Sequence, residues 1–440
     1  MPVPVIAVFD IGKTNKKLLL LNEQYHIVFE QQTCMQETTD EAGDPCEDLH
    51  LLINNMRQQL AAVLAMEAFE VKAVNVSAYG ASLVYIDESG APAGPLYNYL
   101  KPYPEELSNR FYATYGDRER FSHETASPAL DSLNAGLQLY RIRHRQPLLF
   151  SRTRYALHLP QFLGYLFSGQ VFSEMTSIGC HTGLWDFARK QYHTWVDREG
   201  WLDKLPPIVP ATRTTPVHIA HHALQAGVGI HDSSAALVPY LLQFHEPFVL
   251  LSTGTWCISM NPFNHEPLTT EELQQDCLCY IRYDGLPVKS SRLFAGHTHE
   301  TAAQEIAGFF GEDHQSYKVL PYDPEVTAQL AQSPEFSILE MSRYENSTAA
   351  YHHLVMMLVK QQQHATRLVL GHTAVKKLFV DGGFARNNIY MQLLAKAFPE
   401  MEVYAATVSQ ASAMGAALVI HDSWNTQSVP ADLVQLKHYA

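Results

Sequence analysis

Hydrophobic residues enter the chain as a short block, Val5 to Phe9, that stops at a lone carboxylate, Asp10. A polar turn follows, Gly12-Lys13-Thr14-Asn15, and a second apolar block runs from Leu18 to Leu21. Two short apolar runs around a glycine-bearing turn predict a β-hairpin. Tyr25 to Glu30 predicts a third strand, and Glu37 to Asp48, acidic and carrying Gly43 and Pro45, a loop. Leu49 to Ala68 has helical apolar spacing at Leu52, Met56, Leu60, Val63 and Leu64. Val71 to Val76 and Leu83 to Ile86 read as strands joined by Ser77-Ala-Tyr-Gly-Ala-Ser82. Strand, helix and strand in this order imply an α/β layer. Helices are expected at Glu105 to Tyr115, Asp131 to Arg145, Leu157 to Gly169 and Trp195 to Trp201.

Gln243 to Pro247 is polar and proline-marked, and is the expected domain boundary, dividing residues 1–245 from 246–440. Beyond it the opening design recurs. Phe248 to Leu251 is a strand, Ser252-Thr-Gly-Thr255 a tight polar turn, and Trp256 to Met260 the returning strand. Helices are expected at Thr301 to Phe310 and Ala349 to Gly371. A strand, Lys376 to Val380, ends in Asp381-Gly382-Gly383 before a helix from Asn388 to Phe398. A last strand begins at Val403, and Ala411 to Ala417 opens a helix of small residues.

A length of 440 residues makes two domains the default expectation. The net charge of −14 argues against nucleic acid or an anionic membrane as the main partner. Six scattered cysteines read as reduced thiols in a cytoplasmic protein. The N-terminus has no basic segment followed by a long apolar core, and no run of about 18 apolar residues appears, so neither a secretory signal nor a membrane span is expected. None of the histidine groupings has the i, i+4 spacing with a glutamate of a helical zinc site.

The candidate chemistry sits in the turns. Backbone N–H groups, a hydroxyl, an amide and lysines in the first turn suit phosphate oxygens. Asp10 would repel phosphate unless a cation lay between, and Mg²⁺ is commonly held by one or two carboxylates plus water and phosphate. A plain surface hairpin satisfies the same pattern. The second turn repeats the choice, and two such turns facing each other would grip a polyphosphate between two domains. Asp232 follows glycines and leads into a helix; it reads as an N-cap, as part of an anion site at a helix start, or as both. Tyr79 and Ser82 either face a ligand or close an ordinary turn.

Asp10-Ile-Gly-Lys-Thr-Asn-Lys-Lys17, Gly229-Ile-His-Asp232, Ser252-Thr-Gly-Thr-Trp256, Asp381-Gly-Gly383 and Ala411-Ser-Ala-Met-Gly-Ala-Ala417 together resemble the FGGY carbohydrate kinases of the actin-like ATPase superfamily. The likeness runs from the first hairpin to the last helix. It implies two actin-like (ribonuclease H-like) α/β domains, with mixed sheets flanked by helices and an interdomain cleft; hinge closure between the halves is expected because water would otherwise compete as acceptor. It also implies ATP-dependent phosphorylation of a small sugar, a ketose or deoxyketose, with ATP and Mg²⁺ as cofactors; a homodimer is compatible with it. On matching positions, Asp10 and Asp232 would lie near the metal, and Asp232 would be the general base. Gly12, Lys13, Thr14, Asn15 and Lys17 would form the first phosphate motif, and Thr253, Gly254 and Thr255 the second. Gly382, Gly383 and Asn387 would lie at the adenosine site, and Tyr79, Ser82 and Asp232 at the sugar; His231, beside Asp232, either binds sugar, polarises the acid or serves packing. Lys13 departs from the family's Thr or Ser. Tyr79-Gly-Ala-Ser82 differs from the Gln-Met-His-Gly of xylulose kinases and is closer to the Trp-Gly-Val-Asp of rhamnulose kinases, with Ser82 in place of the acid. The rivals are an actin- or chaperone-type ATPase and a catalytically silent sugar-binding regulator.

Overall fold

The first hairpin forms as its pattern predicts and becomes the centre of a mixed sheet. The computed structural model describes residues 1–408 and 410–440. β1 (Val3–Ile11) pairs antiparallel with β2 (Asn15–Asn22), and β2 with β3 (Ile27–Cys34). On its other side β1 runs parallel to β4 (Phe69–Ala78). β5 (Thr214–Ile219) and β6 (His222–Gly227) complete the order β5-β6-β4-β1-β2-β3, and Ile230–His231 also pairs with β4. The apolar run of β1 is continuous because both its faces are covered, as in the parallel core of an α/β layer. Val5, Ala7 and Phe9 pack with α1 (Leu49–Leu64), while Ile6 and Val8 turn the other way, into a core shared with α2 (Asp232–Gln243).

The second half repeats the plan. β7 (Phe248–Thr253) pairs antiparallel with β8 (Cys257–Asn261). With β9 (Cys277–Ile281), β10 (Pro287–Leu293), β11 (Lys377–Gly382), β12 (Glu402–Thr407) and β13 (Gln435–Tyr439) they form the order β9-β10-β8-β7-β11-β12-β13. β7 runs parallel to β11 as β1 does to β4. Val249 and Leu251 pack with α3 (Ala295–Phe310), α4 (Ser347–Leu368) and α5 (Asn388–Ala397). Phe248 and Leu250 enter the same core as Ile6 and Val8, with α6 (Ala411–Val419) lying beside α2.

Three elements differ from their sequence reading. Leu83–Ile86 does not fold back on β4, because β4 already has β1 on one side and β6 with Ile230–His231 on the other. It pairs instead with Tyr155–His158, and the helix expected from Leu157 starts at Leu159. The acidic segment read as a loop is a short hairpin, Glu37–Thr39 against Pro45–Glu47. The hairpins β5–β6 and β9–β10 carry no strong alternation and had no sequence signal.

α2 and α6 meet backbone to backbone. A Cβ added to Gly415 would lie 1.8 Å from the carbonyl oxygen of Ala235. Pro239, inside α2, has no N–H to donate to that carbonyl. Gly415→Ala is therefore expected to cost about 1–3 kcal/mol of stability in urea unfolding; an unchanged midpoint would mean that the helices do not touch there.

Candidate functional site

Asp10 is the last residue but one of β1, in register with Lys17 on β2 and Ser77 on β4. The start of α6 comes down over this end. Ser412 Oγ donates to Asp10 Oδ2 at 2.9 Å, and Lys17 Nζ donates to Gln410 Oε1 at 3.1 Å. Burial raises the Asp10 carboxyl to about 6; the Ser412 bond works against the rise, and the charge of Asp232 adds to it. Asp232 is the first residue of α2, with His231 rather than Asp232 at the cap position. Its Oδ1 accepts from the Ser233 amide at 2.6 Å, and burial raises it too to about 6, although 34% of its side chain is accessible. Two motifs separated by more than 200 residues thus bring two carboxyls into each other's field.

The first turn is closed by Gly12 N–H donating to Asn15 O at 2.9 Å, with Thr14 and Asn15 exposed and Gly12, Lys13 and Lys17 half-buried. Lys13 is held by Glu37 of the acidic hairpin at 2.5 Å. His231 is buried. Its Nε2 lies 3.1 Å from Cys180 Sγ and 3.2 Å from Asp232 Oδ1, its Nδ1 3.3 Å from Ser234 Oγ, and its ring packs on Tyr280. Burial holds the imidazole down at about 3, so it is neutral. Tyr79 is buried with its hydroxyl donating to Glu47 Oε2 at 2.6 Å, and Ser82 is buried with its hydroxyl unpartnered among the described residues. Sequence reasoning missed Ser412, noted only as a small residue, and Tyr99. The Tyr99 phenol is raised by burial first and by Asp232 next, so it lies near the acid.

The second turn and the glycine pair form one unit. Thr253 Oγ1 donates to Asp381 O and accepts from Phe384 N–H at 3.0 Å, while Gly383 N–H donates to Thr253 O at 2.9 Å. Gly382 has φ +80° and lies so close that a Cβ would meet Thr253 O at 1.9 Å. The Thr253 hydroxyl is thus spent on structure, leaving Gly254 and Thr255 as the exposed members of the turn. Thr253, Gly254, Thr255, Gly383 and Asn387 line a cavity of about 660 Å³, with His297, Lys318 and Arg386 added from segments no motif marked. That volume suits a nucleoside. Asn387 caps α5 through its Oδ1 and donates to Tyr351 at 2.7 Å, so its amide is committed within the protein. Arg292 lies over the ring of Trp256, beside the second turn, and its charge is felt by Cys180 and His181.

Among the described residues no group of three His, Cys, Asp or Glu is placed to cage a metal. Two carboxyls pushed up by burial, with Asp232 adding to the rise at Asp10, are donors of the kind that a hard divalent ion takes together with water and phosphate oxygens, so the chemistry of Asp10 and Asp232 is compatible with Mg²⁺.

Residues 5–237 match the N-terminal domain of the FGGY family of carbohydrate kinases, and residues 245–428 match the C-terminal domain of carbohydrate kinase FGGY. The chain belongs to the FGGY family. Its similarity to a rhamnulokinase from Mannheimia succiniciproducens is 21% identity over 280 residues, 59% of this chain and 54% of the relative, so the match spans about half of that protein. The fold of this FGGY chain superposes on a carbohydrate kinase from Novosphingobium aromaticivorans with a TM-score of 0.81, at 23% identity over 100% of this chain and 94% of that one. A ligand-bound xylulose kinase from Lactobacillus acidophilus gives 0.81 at 13% identity, over 99% and 94%. These likenesses establish the two-domain α/β architecture of mixed sheets and helices. Among the described residues, no helix is long and apolar enough to cross a membrane.

Asp232 binds its proton more tightly when folded, at about 6, than at the ordinary 3.8. Between those values the folded state carries more protons than the unfolded one. Stability is therefore gained below about pH 4 and lost as pH rises through about 6. Asp232→Asn is expected to raise the Tm at pH 8 and to change it little at pH 4.5, in melts without metal or nucleotide. Equal shifts at both pH values would show a well-solvated carboxylate.

Proposed function

We propose that this chain transfers the terminal phosphoryl group of ATP to a hydroxyl of a small sugar, a ketose or deoxyketose. The observation that carries the reading is the meeting of Asp10 and Asp232 from separate motifs, with the accessible Asp232 carboxyl at the start of a helix. Phosphoryl transfer asks for alignment and charge neutralisation more than covalent chemistry. Asp232 accepts the proton of the attacking hydroxyl, and a carboxyl raised to about 6 is a better proton acceptor than an ordinary one while still ionised at neutral pH. Neutral His231 keeps Asp232 oriented without adding a charge. Mg²⁺ held near Asp10 and Asp232 would neutralise phosphate charge. The N–H groups of Gly12 and Gly254 close their own turns, so the amides of Lys13, Thr14 and Thr255 are the ones offered to the phosphates, and the cavity beside Gly383 receives the nucleoside. Lys13 differs from the family's hydroxyl, and its pairing with Glu37 directs the extra cation toward the acidic hairpin.

Rhamnulose and xylulose, named by relatives, belong at the head of a panel of ketoses, deoxyketoses and polyols in an assay of ADP release. One of the panel is expected to stimulate release strongly; ADP formed at the same rate with no sugar would mean that water is the acceptor. Asp232→Asn is expected to lower kcat by about 10²–10⁴-fold while Mg-ATP still binds. Asp10→Ala is expected to raise the Mg²⁺ concentration needed for half-maximal rate, and an unchanged requirement would remove Asp10 from the metal site.

A further inference from the structure

A buried charge pair that the proposed reaction does not use lies beneath the first turn. Lys16 is 3% exposed and Glu47, from the acidic hairpin, 5%. Lys16 Nζ bonds Glu47 Oε1 and also donates to the carbonyl of Lys13, inside the turn, at 2.9 Å. The other oxygen of Glu47 accepts the Tyr79 hydroxyl at 2.6 Å. Tyr79 is itself tied to the end of β1, its amide donating to Ile11 O at 3.1 Å, and its ring meets the edge of Tyr99 at 6.0 Å. Tyr99 lies within the field of Asp232. One carboxylate therefore connects the turn offered to phosphate with the aromatic wall beside the proposed base.

Stability alone does not account for such a pair. Taking two charges out of water is expensive, and an apolar pair of similar volume is often neutral or better. A salt bridge with both carboxylate oxygens occupied does supply direction, because each bond fixes the distance and angle of its partner.

We propose that Glu47 is a positioning residue. Through Lys16 it fixes the backbone of residues 12–15 against the nucleotide phosphates, and through Tyr79 it fixes the wall of the acceptor site, so that nucleotide and sugar affinity share one buried anchor. The sugar half of this proposal rests on the kinase reading; the nucleotide half is measurable without turnover.

The test compares wild type, Glu47→Leu, the double variant Lys16→Met/Glu47→Leu, and Tyr79→Phe. Glu47→Leu strands a buried ammonium and is expected to lower the Tm. The double variant is expected to recover most of that loss, yet to bind Mg-ADP roughly tenfold more weakly by titration calorimetry and to raise the sugar KM by a similar factor, with kcat changed less. Tyr79→Phe, which cuts only the link to the wall, is expected to raise the sugar KM and leave Mg-ADP affinity as it was. A double variant that regains wild-type Mg-ADP affinity along with its Tm overturns the proposal and makes the pair purely structural. Should the double variant not fold, an unchanged sugar KM in Tyr79→Phe overturns it instead. If wild type turns over no sugar, the kinase reading fails while the calorimetry still judges Glu47.

Discussion

The contact between Gly415 and the carbonyl of Ala235 is the constraint on which the site's geometry depends. Each residue lies three positions along its helix, about 4.5 Å of axis, beyond the residue that matters chemically. α2 begins at Asp232, and α6 carries Ser412 in its first turn. Helices this close, crossing this near their starts, bring Asp232 beside the end of β1 and let Ser412 reach Asp10 from the other half of the chain. A side chain at position 415 would force the helices apart, and the two acids would separate with them. Pro239 fits this arrangement, since the carbonyl it leaves without an intrahelical donor is the one against which Gly415 packs.

Charge is arranged around the same site in a way the overall balance of −14 conceals. The hairpin from Glu37 to Glu47 spends its acids on lysines: Glu37 on Lys13, Glu47 on Lys16, and Asp40 with Asp44 on Lys101. The exposed pair is worth little by itself. The Lys16–Glu47 and Lys101–Asp40 pairs are buried, and the first of them sets geometry. Asp10 and Asp232, in contrast, have among the described residues no lysine or arginine of their own at bonding distance, and burial pushes both carboxyls up. That contrast separates charges used for construction from charges left available.

Much of this was legible in the chain. Val5 to Phe9 reads as a strand because both its faces are buried, and its repetition at Phe248 to Leu251 exposes the duplicated plan. The glycine turns betray themselves because few other residues tolerate the contacts at Gly382. What stayed hidden depends on partners distant in sequence. Nothing local distinguishes Ser412 from its small neighbours until Asp10 is brought beneath it. Glu47 looks like one more acid in a polar segment until Lys16 and Tyr79 close around it. The ribbon of Leu83–Ile86 with Tyr155–His158 joins strands about 70 residues apart, which turn chemistry does not report. The side-chain groups of Thr253 and Asn387 are taken up by Asp381 and Tyr351, commitments that residue type alone does not reveal.

The core between the sheets has a consequence for how the chain can be divided. Ile6 and Val8 from one sheet, Phe248 and Leu250 from the other, and α6 from the last part of the sequence share a single apolar interior. The polar stretch at Gln243 to Pro247 is a seam in the sequence and not in that interior. A fragment ending there would keep α2 over the inner face of β1 but lose α6 and the second sheet, leaving part of that apolar interior open, a surface that invites aggregation. Each half therefore completes the apolar interior of the other.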